Sequence, residues 1–232
     1  MSRGLFITAT GTDAGKTYVT ARIVRQLCAA GYDAGYYKAA LSGADETAGL
    51  PGDADYVKRF AGLTDSYSEM VPYIYSAAVS PHLAARWEGR PVDLEHVKRG
   101  YDAISGKHAY ITMEGSGGIL CPIRYDDSCH LFLEDIIRAL ELPSLVVADA
   151  GLGTINATLL TLEYMRRREL PVRGIILNRW TGSPMEEDNR RMIEELGGVP
   201  VIACLEAGAE ELPVSAETLA ALYGAGNGGN DV

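Results

Sequence analysis

The residues best suited to chemistry lie close to the start of the chain, in Thr10-Gly11-Thr12-Asp13-Ala14-Gly15-Lys16-Thr17. The short apolar run Phe6-Ile7 precedes them, and Val19, Ile23, Val24 and Leu27 follow at helical spacing. Strand, glycine turn, Gly-Lys-Thr and helix together describe a phosphate-binding loop. Such a turn presents backbone N–H groups, and the helix start adds the positive end of its dipole. Lys16 would bring a full charge to the β- and γ-phosphates of a nucleotide, and Thr17 a hydroxyl for Mg²⁺. The backbone of Thr12, Asp13, Ala14 and Gly15 would cradle the phosphates. The first glycine of the general pattern is replaced by Thr10, with Gly11 one residue late.

These residues need a frame, and the rest of the chain supplies one by alternating strand-like and helical stretches. The expected strands cover residues 34–38, 109–113, 144–148, 172–177 and 199–204. The expected helices cover residues 80–87, 93–104, 131–140, 151–168, 185–196 and 215–222, with another opening at Asp55. Residues 39–52 read as a loop, and Tyr73-Ile74-Tyr75 as either strand or loop. The nearly all-apolar Ser144–Ala148 suits a strand buried on both faces. The pattern predicts an α/β fold of the phosphate-loop type, a mostly parallel sheet with helices on both faces. It predicts one domain over residues 1–223 and a flexible Gly- and Asn-rich tail over 224–232.

In such a sheet the ligand lies at the carboxyl ends of the strands, so the residues following each strand locate the site. The second strand ends in Lys38, the third in Glu114-Gly115-Ser116-Gly117-Gly118, the fourth in Asp149-Ala150-Gly151 and the fifth in Asn178-Arg179. Two lysines and a carboxylate on one edge suit phosphoryl transfer. Glu114 would help hold the metal, and the glycines behind it allow close approach of backbone to phosphate. Asp55, at a helix start, is a second candidate metal carboxylate. His82, His96, His108 and His130 have no ligand spacing, and no Ser/His/Asp constellation is visible.

Composition narrows the classes further. The 232 residues carry a formal charge of −10, which argues against a nucleic-acid surface. No apolar stretch is long enough to span a membrane, and no signal peptide is visible. Cys28, Cys121, Cys129 and Cys204 form no C-x-x-C pair and suit reduced thiols in the cytoplasm.

The chain resembles the dethiobiotin synthetase family along nearly its whole length. The loop is similar to Gly-Thr-Asp-Thr-Glu-Val-Gly-Lys-Thr, with Asp13 where that family often has glutamate. Tyr37-Lys38-Ala39-Ala40-Leu41-Ser42-Gly43 resembles Tyr-Lys-Pro-Val-x-Ser-Gly, with Ala39 in place of the proline. Ser80-Pro81-His82, Glu88-Gly89-Arg90-Pro91, Glu114-Gly115-Ser116-Gly117-Gly118 and Leu152-Gly153-Thr154-Ile155-Asn156 carry further matches.

The resemblance implies closure of a ureido ring from 7,8-diaminononanoate, CO₂ (or bicarbonate) and Mg·ATP, on the path to biotin. It implies Lys16 and Lys38 as the catalytic cations and Thr17, Asp55 and Glu114 around Mg²⁺. ATP contacts would come from residues 12–17, Asp55, Glu114, Gly115, Ser116, Gly117, Asn178 and Arg179. Leu205 and Glu206 would add to them, although the family has Ile-Pro there. Asp13 and Ser42 would meet the diamine, and Gly153, Thr154, Ile155 and Asn156 its carboxylate from the other subunit of a homodimer. Two alternatives share this kind of loop. A partitioning-type ATPase switch would want a lysine at Gly11, and a cobyrinate-type amidoligase would want an additional glutaminase domain.

Overall fold

The computed structural model describes residues 2–44 and 52–225. The expected alternation is present. The chain begins with β1 (Arg3–Ala9), the loop with a 3₁₀ turn at Thr12–Ala14, and α1 (Lys16–Ala29). There follow β2 (Ala34–Tyr37), β3 (Ala40–Leu41), α2 (Gly52–Ala61), α3 (Tyr67–Met70), β4 (Tyr73–Ile74), α4 (Pro81–Trp87) and α5 (Leu94–Ser105). The second half runs β5 (Tyr110–Glu114), β6 (Pro122–Asp126), β7 (Cys129–Phe132), α6 (Leu133–Ala139), β8 (Ser144–Asp149) and α7 (Thr154–Arg167). It closes with β9 (Val172–Trp180), α8 (Pro184–Gly197), β10 (Val201–Glu206), α9 (Ala216–Ala221) and β11 (Gly224–Ala225).

The main sheet has the order β10-β9-β8-β1-β5-β2, all parallel, with β11 added antiparallel to β1. β1 lies between β5 and β8, so the loop leaving it opens at the centre of the carboxyl edge. Its neighbours carry Glu114 at the end of β5 and Asp149 at the end of β8, while Lys38 directly follows β2. Leu5, Phe6, Ile7, Leu145, Val146, Val147, Ile175, Ile176 and Leu177 are fully buried, as strands covered on both faces must be. On α1, Val19, Ile23, Val24 and Leu27 form the buried stripe that fixes the helix against the sheet. Both the apolar strands and this stripe bury surface at about 25 cal/mol per Å², which anchors the loop between them.

Three local expectations differ from the structure. The helix expected over 131–140 gives up its first residues to β7, which pairs with β6 as an antiparallel hairpin. Leu131 is buried in both readings, so its place in an apolar periodic run did not separate strand from helix. The loop expected over 39–52 contains β3, which pairs in parallel with β4. The tail expected to be flexible from Gly224 instead begins with β11, paired through Gly224 and Ala225 to Gly4 and Arg3. Residues 45–51 of that loop and 226–232 of that tail lie outside the described residues. No described helix is long and apolar enough to cross a membrane.

Candidate active site

The phosphate loop is held in a single shape from below. Gly15 adopts φ 91°, and a Cβ there would lie 2.1 Å from Asn178 Nδ2, so only glycine fits. Asn178, buried in β9, donates from that same Nδ2 to the Ala14 carbonyl at 3.0 Å. Arg179 donates to the Asp13 carbonyl at 2.5 Å and pairs with Asp149, clamping the loop from the side. Asn178 therefore stands behind the loop. One of its two amide N–H groups holds the loop backbone, and the nucleotide contact that the resemblance implies would fall to the other N–H and to Oδ1.

Lys16 lies over the loop that carries it, 3.3 Å from the Gly11 carbonyl and 3.4 Å from that of Thr12. Burial lowers its pKa, with Glu114 opposing and Lys38 adding to that shift. On β5, Glu114 is 1 % exposed and accepts from three donors. Thr17 donates its hydroxyl to Glu114 Oε1 at 2.8 Å, Lys38 its ammonium to the same oxygen at 2.9 Å, and Tyr36 its hydroxyl to Oε2 at 3.1 Å. Lys38 also reaches Asp53 Oδ2 at 2.5 Å, from the first turn of α2. Burial alone would lower the Lys38 pKa, but Glu114 and Asp53 outweigh it and raise the pKa well above the usual value. Two carboxylates thus hold the Lys38 ammonium in place and favour its charged form. Asp53 shows the reverse balance: burial raises its pKa and Lys38 lowers it, with a net depression.

The carboxylate brought to the lysines is Asp53, where the sequence reading chose Asp55. Asp55 is buried on another face of α2, where it accepts from the Tyr67 hydroxyl at 2.7 Å and pairs with Arg59 at 2.5 Å. The spacing of Asp55 and Arg59, four apart on a helix, is the sequence signal that would have assigned Asp55 to a structural pair.

These groups line a cavity of about 900 Å³. Thr12, Asp13, Gly15, Lys16 and Thr17 line it from the loop, and Lys38, Asp53 and Glu114 from the end of β2, α2 and β5. Ser42, Ala78, Val79, Ser80, Pro81, Ser116, Gly117, Cys121 and Arg179 complete the lining. Tyr18 and Tyr56 also line it, and the sequence reading had singled out neither. Ala14 and Gly115 lie beneath, where Gly115 N–H bonds the Ile7 carbonyl at 2.9 Å and a Cβ would press on Phe6. Leu205 is fully buried in β10 and Glu206 exposed at its end, and neither is among the described residues lining the cavity. Gly153, Thr154, Ile155 and Asn156 open α7 and are likewise not among them.

Comparison with known proteins agrees with this geometry. The AAA domain family model matches residues 3–210. The ATP-dependent dethiobiotin synthetase BioD of Brachyspira hyodysenteriae is 55% identical over 203 residues, covering 87% of this chain and 91% of its own. That of Clostridium botulinum is 43% identical over 226 residues, covering 96% of this chain and 99% of its own. The chain belongs to the dethiobiotin synthetase family.

Solved structures of lower identity show the fold alone. A ParA family ATPase from Chlorobium tepidum superposes with TM-score 0.54 at 17% identity, over 88% of this chain and 83% of its own. The MinC:MinD complex of Aquifex aeolicus gives TM-score 0.53 at 15% identity, over 88% and 81%. The likeness to a partitioning-type ATPase is therefore one of architecture, and the family assignment favours the ligase over the switch.

Proposed function

We propose that this cavity closes the ureido ring of dethiobiotin from 7,8-diaminononanoate and CO₂ at the expense of ATP, a step of biotin biosynthesis. The observation that carries the reading is Lys38, a buried cation held between Asp53 and Glu114 in the same cavity as Lys16 of the phosphate loop. One amine takes up CO₂ and loses a proton, giving a carbamate. A carbamate oxygen attacks the γ-phosphorus and ADP leaves, which forms a carbamic–phosphoric anhydride. The second amine then attacks the carbonyl carbon, and phosphate departs with the C–O electron pair as the ring closes. Two anions must meet in the phosphoryl step, and positive charge on both sides lowers its barrier. Lys16 serves the nucleotide phosphates. Lys38 serves the carbamate and the moving phosphoryl group. Ser42 and Asp13 line the same cavity, and the amines and carbamate would be held there.

Magnesium fits the donors present. Thr17, Asp53 and Glu114 offer oxygen alone, which suits a hard cation completed by phosphate oxygens and water. The described residues contain no cluster of three or more His, Cys, Asp or Glu that would bind a metal unaided. Bound there, Mg²⁺ would neutralise phosphate charge. Asp53→Asn should raise the Mg²⁺ concentration for half-maximal phosphate release by about tenfold or more, the loss of one charged ligand. Asp55→Asn, with its side chain on Tyr67 and Arg59, should stay within about threefold of wild type. A magnesium titration in which both variants behave alike would reject the assignment of Asp53.

The carboxylate of the substrate needs a donor that this chain's own cavity wall does not supply from α7. Free N–H groups at the start of α7 bind a carboxylate without a charged side chain. Leu152, just before α7, is 92% exposed and Leu160, within it, 63%, apolar side chains that a two-fold partner would cover. We therefore place the shared site in a homodimer. One subunit with Lys38→Ala and another with Ile155→Pro, co-expressed, should recover roughly a quarter of wild-type activity. Half of randomly paired dimers are mixed, and each mixed dimer has one intact site. Recovery no higher than the mean of the two single variants would mean that each site is built within one chain.

A further inference from the structure

Arg22, one turn after Tyr18 on α1, is 3 % exposed and makes no ion pair with any described residue. A buried guanidinium ordinarily has a carboxylate beside it, because desolvating an unpaired charge is costly. Here the guanidinium carbon lies 3.1 Å from the centre of the Tyr18 ring and 4.4 Å from that of Phe60. Its Nε donates to the Ala209 carbonyl at 2.6 Å, and its Nη1 to the Tyr18 carbonyl at 2.9 Å and the Tyr56 hydroxyl at 3.0 Å. These partners are neutral, so among the described residues no carboxylate answers the positive charge.

Among the described residues, Tyr56 is the member of this set whose hydroxyl proton has no acceptor. Its oxygen accepts from Arg22, and its own O–H donates to no described residue. Tyr56 lines the cavity beside Tyr18, which directly follows Lys16 and Thr17. It stands three residues beyond Asp53 on α2, so it shares that residue's helix face. Resting on the nucleotide reading above, we propose that Tyr56 is a nucleotide-binding residue whose hydroxyl, held by Arg22, donates to an anionic phosphate oxygen of the bound nucleotide. The nucleotide's negative charge then answers the charge of Arg22. Arg22 acts through Tyr56 and is a positioning residue.

A purely structural account is available for Arg22, since it ties α1 to the segment after β10 through Ala209. The two accounts separate by ligand. Calorimetry on the full chain with ADP, and with adenosine by displacement, measures the phosphate contribution directly. Tyr56→Phe should weaken ADP binding about tenfold, the worth of one hydrogen bond to a charged group, and leave adenosine unchanged. Arg22→Met should give a similar loss, and the double variant a loss no greater than about twice either single one, because both act through one hydroxyl. Should Arg22→Met fail to fold by its thermal transition, Tyr56→Phe decides alone. ADP binding by Tyr56→Phe equal to wild type, or equal losses for ADP and adenosine, would overturn the proposal while leaving the nucleotide site intact. Failure of the wild-type chain to bind ADP would overturn the functional reading as well.

Discussion

Lys38→Met should lower turnover by about 10²–10³-fold or more while ADP affinity stays within about threefold of wild type. The expectation follows from where Lys38 stands. Its ammonium touches Asp53 and Glu114, whereas the ammonium of Lys16 lies against the carbonyls of its own loop. Glu114 and Asp53 raise its pKa and favour the charged form, so the variant removes a charge from the site. That charge is useful only when a carbamate oxygen approaches the γ-phosphorus, which makes it a transition-state interaction. Methionine keeps the volume of the buried stem and limits the disturbance to the charge. Single-turnover phosphate release, set beside calorimetric ADP binding, checks both halves. A variant that binds ADP a hundredfold more weakly would place Lys38 on the nucleotide and overturn the division of roles.

Lys16→Ala should do the opposite. ADP affinity should fall by about 100-fold or more, as expected for the loss of charge-assisted hydrogen bonds to phosphate. Lys16 is buried in the lining of the cavity, on the loop fixed from beneath by Asn178 and from the side by Arg179. The loop should therefore keep its shape when the side chain is shortened. Calorimetry with ADP is again the measurement, and near-wild-type affinity would mean that the backbone cradle alone holds the phosphates.

The contrast between these lysines shows what the chain discloses before it folds. The phosphate loop is legible because all its parts are contiguous: strand, turn, Gly15, Lys16, Thr17 and the stripe of α1. Lys38 and Glu114 are legible because parallel strands deliver their carboxyl ends to one edge. Asp53 was missed because Asp53 and Asp55 are equally plausible at a helix start, and only the rotation of α2 against α1 chooses between them. Asn178 was legible as a strand-end amide. Its task under Gly15 arises from contact between residues 163 positions apart, which no local pattern encodes. Arg22 and Tyr56 are of the same kind. Their pairing exists only once α1 and α2 pack.

The hairpin of β6 and β7 illustrates a different limit. Leu131, Leu133, Ile136 and Ile137 are all buried and belong to one apolar periodic pattern interrupted by Glu134 and Asp135. The pattern continues across the junction of strand and helix, so periodicity alone sets the helix start too early. The error leaves the site untouched, because Gly117 and Cys121, which border the cavity, precede the hairpin.

The central claim is that ATP is cleaved here by a carbamate made from the diamine. The direct test is phosphate release from Mg·ATP with the diamine and bicarbonate supplied separately and together. Release should require both, and dethiobiotin should form in equal amount to the phosphate. Phosphate released at the same rate without the diamine would contradict the account and make the chain a nucleotide hydrolase.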